Sequence, residues 1–281
     1  MVGTCNGLVC LSDNLNTYID KLFLWNPCVR KFVKIPSPNI EVTFWTHGEF
    51  NASIGFGFDA KTNDYKVVRM VSLVMNADDQ RDQPEVEVYS LSTGEWRVIS
   101  PLLPPICVLN SDDTPAFVNG AMHWIAFRRD DDFKLHHFVL VFDLGDEVFR
   151  EILLPEFPEG EGRSELCAGY GNSIALFLGS YYSGFFIIWV MKEYGVASSW
   201  TIVLGIHNQD IGSGEWVPRP IGFRRNGKVV LAFKNGKLVS WDLEGKEGKI
   251  LRITSCMSPF VDSYVESLVL LDKATNVAVT Y

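Results

Sequence analysis

VEVYSLSTGEW, residues 86–96, is a β-run that closes on an aromatic, Tyr89, passes through a polar turn and restarts toward a second aromatic, Trp96, seven positions on. The same hairpin stands at 22–32 as LFLWNPCVRKF and at 139–149 as VLVFDLGDEVF, where Trp25 and Phe142 precede Phe32 and Phe149 by seven residues. Looser copies follow at 187–200, IIWVMKEYGVASSW, built on Trp189 and Trp200, and at 238–253, LVSWDLEGKEGKILRI, built on Trp241. The closing aromatics are 64, 53, 47 and 52 residues apart. A hairpin that recurs at such intervals fits the blades of a β-propeller, whose repeats run to about 40–50 residues.

Turn chemistry supports an all-β chain. Asn-Gly pairs at Asn6-Gly7, Asn119-Gly120, Asn226-Gly227 and Asn235-Gly236 predict two-residue hairpins, because a type I′ turn needs positive φ at both positions. Gly171-Asn172 supplies a similar turn in reverse order. No window of a dozen residues sustains apolar positions at helical spacing. About six four-stranded antiparallel blades are expected, with five to seven allowed. Blade one is expected to lack its innermost strand, and the tail 259–281 offers two further strands.

The connections divide into tight and long. Residues 12–21, 75–85, 128–135 and 179–184 separate inner from outer hairpins, while 35–52, 100–115, 155–165 and 205–220 link successive repeats. In a propeller both long sets emerge on one face, and loops on a rigid scaffold carry binding residues. The candidate anchors for a protein partner are therefore the aromatic, histidine and arginine residues there: Tyr18, Phe44, Trp45, His47, Arg81, Arg128, Arg129, Tyr181, Tyr182, Trp216 and Arg219.

Composition excludes several function classes. A net charge of −9 over 281 residues argues against nucleic acid or an anionic membrane surface as the main partner. The six cysteines are scattered without a CxxC pair, so neither a zinc knuckle nor a redox motif is written. The longest strongly apolar run, Phe185 to Met191, is too short to span a bilayer. A single domain over 1–281, in the cytoplasm and/or nucleus, is the expectation.

No catalytic residue, metal ligand or cofactor is assigned. Asp130–Asp132 and Glu156, Glu159, Glu161 and Glu165 fall in polar loops. His136 and His137 are adjacent and point to opposite faces of a strand, His123 reads as a packed histidine, and GFGFDA at 55–60 lacks the third glycine of a dinucleotide fingerprint. Gly55 and Gly57 instead predict a close backbone approach within a strand.

Kelch blades carry a Gly-Gly pair, absent here, and a WD40 array would repeat Trp-Asp, which occurs once at Trp241-Asp242. A closer resemblance lies in an ordered series: GTCNGLVCLS, LWNPCVRKFVKIP, GFGFDAKTNDYKVVRM, VEVYSLSTGEWRVI, VNGAMHWIAF, VFDLGDEVFREILLP and IWVMKEYGVASSW. From Gly3 to about Trp200 the chain resembles the F-box-associated domain of plant F-box proteins, a group that includes S-locus F-box proteins. The resemblance implies a kelch-like propeller that captures a target protein for an SCF-type ubiquitin ligase. It also implies that the Skp adaptor and cullin are reached only through an F-box, a helical segment expected before GTCNG and not found in this sequence. A stand-alone or truncated module competing with full-length receptors, and a glycan-binding or hydrolytic propeller, are the alternatives.

Overall fold

A computed structural model describes residues 1–12, 21–40, 50–73, 84–100, 108–109, 115–129, 134–155, 163–180, 184–207, 218–254, 261–269, 271 and 279–280. Blade one comprises β1 (Gly3–Cys5), β2 (Leu8–Ser12), β3 (Leu22–Asn26) and β4 (Lys31–Lys34). Blade two comprises β5 (Phe50–Asp59), β6 (Asp64–Leu73), β7 (Glu85–Ser90) and β8 (Glu95–Ile99). After the two-residue β9 (Val108–Leu109), blade three is β10 (Ala116–Val118), β11 (Ala121–Arg129), β12 (Leu135–Asp143) and β13 (Val148–Leu153). Blade four is β14 (Arg163–Tyr170), β15 (Ser173–Ser180), β16 (Phe185–Met191) and β17 (Trp200–His207). Blade five is β18 (Arg219–Phe223), β19 (Val229–Ala232), β20 (Lys237–Trp241) and β21 (Gly248–Thr254). Each is an antiparallel meander in chain order, the blade unit of propellers.

Five blades lie within the expected range and one short of its central value. The tail forms no sixth sheet among the described residues: only β22 (Val279–Thr280) is a strand, and it pairs with β4 as a fifth strand of blade one. Blade one also has the inner strand that its sequence had not revealed. Gly3–Cys5 pairs with Leu8–Cys10 across the Asn6-Gly7 turn. The chain divides into two compact units, Met1–Ile152 with Tyr264–Tyr281, and Leu153–Ser263.

Asn6-Gly7 and Asn119-Gly120 have positive φ at both residues, as type I′ requires. At Asn226-Gly227 and Asn235-Gly236 only the glycine does. There the glycine N–H donates to the carbonyl three residues back, Arg224 or Phe233, closing a three-residue loop with a left-handed third position.

Four of the five outer hairpins, all but that of blade four, share a turn that the sequence shows only as polar. Arg30, Gly94, Glu147 and Lys246 each stand five residues after the closing aromatic and have φ between 52° and 77°. The residue just after the aromatic caps the turn. Oδ1 of Asn26, Asp143 and Asp242 each accepts two successive backbone N–H groups, at 2.9–3.4 Å, 2.9–3.0 Å and 3.0 Å respectively. Ser90 Oγ does the same work for Thr93 N–H.

In the first unit, blades two and three meet through the GFGF strand. A Cβ on Gly55 would lie 2.4 Å from Met122, and one on Gly57 would lie 2.5 Å from Phe117, so the expected close approach is found. Trp124, 2% exposed, donates its indole N–H to Ser53 Oγ at 2.8 Å from the neighbouring blade. In the second unit, Phe177, Phe186, Ile188, Phe223, Val229 and Leu231 form one apolar cluster.

Candidate protein-binding surface

In a four-stranded meander the first-to-second and third-to-fourth turns lie at one end, and the second-to-third connection lies at the other. The described tight turns therefore share one end of each blade, and the second-to-third connections leave from the other. Tyr18, Phe44, Trp45, His47, Arg81, Tyr181, Tyr182 and Trp216 lie outside the described residues. Arg128, Arg129 and Arg219 belong to strands rather than loops, because β11 runs on to Arg129 opposite Leu135 and β18 begins at Arg219. All three still sit at the loop end of their strands.

Arg128 is half-buried and engaged. Its Nη1 lies 2.5 Å from Glu151 Oε1, and its guanidinium stands 4.9 Å from the Phe138 ring centre. Arg219 is exposed.

Elsewhere in the first unit, charged side chains are locked into structure. Lys66 Nζ is buried against Asp59 Oδ2 at 2.7 Å and the Leu144 carbonyl at 2.9 Å, with Glu147 Oε1 at 3.2 Å. Arg97 pairs with Glu147, and Lys61 with Asp146, extending this link between blades two and three. Arg69 and Glu87 form a second pair, 2.5 Å apart and with side chains 2% and 0% exposed. Glu87 Oε2 also accepts the backbone N–H of Asn39 and Ile40, while Arg69 Nη1 donates to the Ile40 carbonyl. The pair thus anchors the linker between blades one and two.

The described histidines do not group into a metal site. Arg128 pairs with His136 and Phe127 with His137, which puts the adjacent histidines on opposite faces of β12 as expected. His123 is buried within β11, and its Nδ1 donates to the Ala116 carbonyl at 3.2 Å, since a carbonyl can only accept. Among the described residues no three His, Cys, Asp or Glu side chains are grouped to hold a metal ion.

These groups predict a two-stage acid response. Burial pushes the His123 pKa down from 6.5 to about 4, so the unfolded chain takes up a proton that the folded chain refuses. Burial favours a raised pKa for Asp59, yet bonds from Lys66, Thr62 and the Lys61 N–H prevail and bring it from 3.8 down to about 2. Both shifts are downward, so both contributions are full at neutral pH and fade as pH falls. His123 should withdraw about 3 kcal/mol between pH 6.5 and 4, and Asp59 about 2 kcal/mol between pH 4 and 2. Urea titrations across this range should lose the upper stage in His123→Gln. A single transition below pH 4 in the unsubstituted protein would contradict the assignment.

One feature escaped the reading of aromatics and loops. Residues 219–254, blade five and its turns, hold nine Lys and Arg against three Asp and Glu, leaving sixteen against thirty-one in the rest of the chain. A count of charge by repeat would have found it; a whole-chain net charge hides it.

The sequence matches the F-box associated beta propeller domain over residues 1–271. F-box protein CPR1 of Arabidopsis thaliana is 29% identical over 95% of this chain and 67% of its own length. F-box protein At3g07870 of the same plant is 31% identical, over 86% of this chain and 63% of its own. The F-box/kelch-repeat protein At3g23880, also of Arabidopsis, is 27% identical, over 84% and 59%. The chain thus spans about three fifths to two thirds of the length of these relatives. Among solved structures, an alpha-L-arabinofuranosidase from Lactobacillus brevis is similar at a TM-score of 0.46 and 9% identity, over 91% of this chain and 93% of that one. Likeness at that level carries no argument about function. With five antiparallel blades in place and a match running through all of them, the chain belongs to the F-box associated beta propeller domain family.

Proposed function

We propose that residues 1–281 form one target-recognition domain of an SCF-type ubiquitin ligase, capturing a target protein through the loop-rich ends of its blades. The observation that carries this reading is the family match over residues 1–271, together with relatives that are F-box proteins. An F-box joined to this domain would dock on the Skp adaptor and so on the cullin, in the cytoplasm, the nucleus or both. Among the described residues no helix is long and apolar enough to cross a membrane. A binding rather than a catalytic role is supported by the same family match.

The test is affinity capture with the chain alone and with an F-box joined to it, followed by a ubiquitination assay. Both forms should retain the same target protein, and only the F-box form should bring down the adaptor and cullin and modify the target. Retention of no protein by either form, or a captured protein that the F-box form leaves unmodified, would overturn the reading.

A further inference from the structure

Blade five lacks the aromatic that each of the other four fourth strands carries, and its outer strand is exposed. Phe32, Trp96 and Trp200 of the fourth strands stand directly across from Trp25, Tyr89 and Met191. The residue across from Trp241 is Gly248, where a Cβ would come within 2.9 Å of the Trp241 ring. The strand that follows therefore has no aromatic to tuck under the blade.

Each of the other fourth strands holds at least one buried residue: Val33, Trp96, Ile152 and Trp200. β21 holds none, and Ile250 and Ile253 on it are 57% and 62% exposed. The edges of β4 and β8 are also covered from within the chain. β22 lies against the first, and Asn39 Nδ2 donates to the Trp96 carbonyl on the second. Among the described residues no strand pairs with the outer side of β21, beside which a shallow groove of about 640 Å³ is lined by Lys237, Ile250, Arg252 and Ile253.

We propose that the outer edge of β21 is a docking site for an acidic, extended segment of a partner protein, which adds to blade five as a fifth strand. Blade one shows the arrangement already, with β22 added to β4. A strand edge offers unpaired N–H and C=O groups, here with a register shift between Leu251 and Thr254, and an added strand can set its side chains beside Ile250 and Ile253. Lys249 and Arg252 are exposed on β21, in a blade of nine cations and three acids. That charge selects the occupant. A second copy of this chain would set Lys249 and Arg252 against their own kind, and like charges across strands oppose pairing. A nucleic acid would use the cations but neither the backbone edge nor the isoleucines.

The inference rests on the protein-binding reading above and specifies a surface for it. The probe is an acetylated eight-residue peptide alternating Glu and Val, with Lys-Val and Ser-Val peptides as controls, titrated into the full chain by fluorescence anisotropy. The acidic peptide should bind tightest. K249E/R252E, two exposed positions, should weaken it at least tenfold while circular dichroism is unchanged. Amide hydrogen exchange over Gly248–Thr254 should slow when the peptide is bound to the unsubstituted chain.

Several results would overturn the site: no binding of the acidic peptide, binding that survives K249E/R252E, or bound peptide with unaltered exchange over β21. Equal protection of β21 by an oligonucleotide, or self-association lost on Ile250→Lys, would reassign it to another occupant. Target capture that persists in K249E/R252E removes this docking site and leaves the ligase reading standing. Absence of any target removes the ligase reading, while the peptide result still decides the edge.

Discussion

Glu87→Ala is expected to destabilise the first unit by about 3–5 kcal/mol, measured as a lowered urea midpoint at neutral pH. The magnitude comes from what the substitution leaves behind. Arg69 keeps its charge at 2% side-chain exposure, and the N–H groups of Asn39 and Ile40 lose their acceptor. Taking one partner from a buried pair costs far more than the pair contributed, because the desolvation of the remaining charge is less fully offset. It follows that removing both charges should cost much less than removing one. The double variant Arg69→Met with Glu87→Leu should recover most of the loss, and a single variant within about 1 kcal/mol of the parent would show that water reaches the pair.

Phe142→Ala should cost about 3–5 kcal/mol, whereas Trp25→Ala, at the equivalent place in the first repeat, should cost under about 1 kcal/mol. Phe142 is fully buried and meets Phe149 with ring centres 4.7 Å apart, so truncation leaves a cavity between packed rings. Trp25 is 39% exposed. The larger side chain is thus the cheaper one to remove. Equal losses in parallel thermal or urea unfolding would mean that the repeat, rather than burial, sets the contribution of these aromatics.

That contrast shows how far the sequence could be read. Five hairpins were legible because alternation, a polar turn and a second aromatic are all local, and a local pattern survives whatever packs against it. Gly55 and Gly57 were legible for a related reason, since two glycines among strand-forming residues imply something close by. The inner strand Gly3–Cys5 and β9 were not, being three and two residues long and defined only by their partners, while β22 falls in the tail where strands were expected. The two Asn-Gly pairs of blade five carry the same dipeptide as the others, yet one added loop residue changed the turn that closes them.

The candidate surface was less legible than the fold. Arg128 and Arg219 were read as loop residues and belong to strands, because residues at a strand's ends look polar when they approach solvent. The edge of β21 was missed because its decisive residue is a glycine, which carries no side chain to attract notice.

The order of strands, the antiparallel meander and the position of each tight turn follow from neighbours in the chain, where backbone preference and side-chain alternation act over a few residues. Which members of a repeat are buried depended on contacts dozens of residues distant. Glu87 alternates with Val86 and Val88 as a solvent-facing residue should, and it is buried only because Arg69 lies directly across from it on β6 and the Asn39–Ile40 linker covers both. Charge pairing and desolvation are settled by what finally stands within a few ångströms, and only the assembled blades bring those groups together.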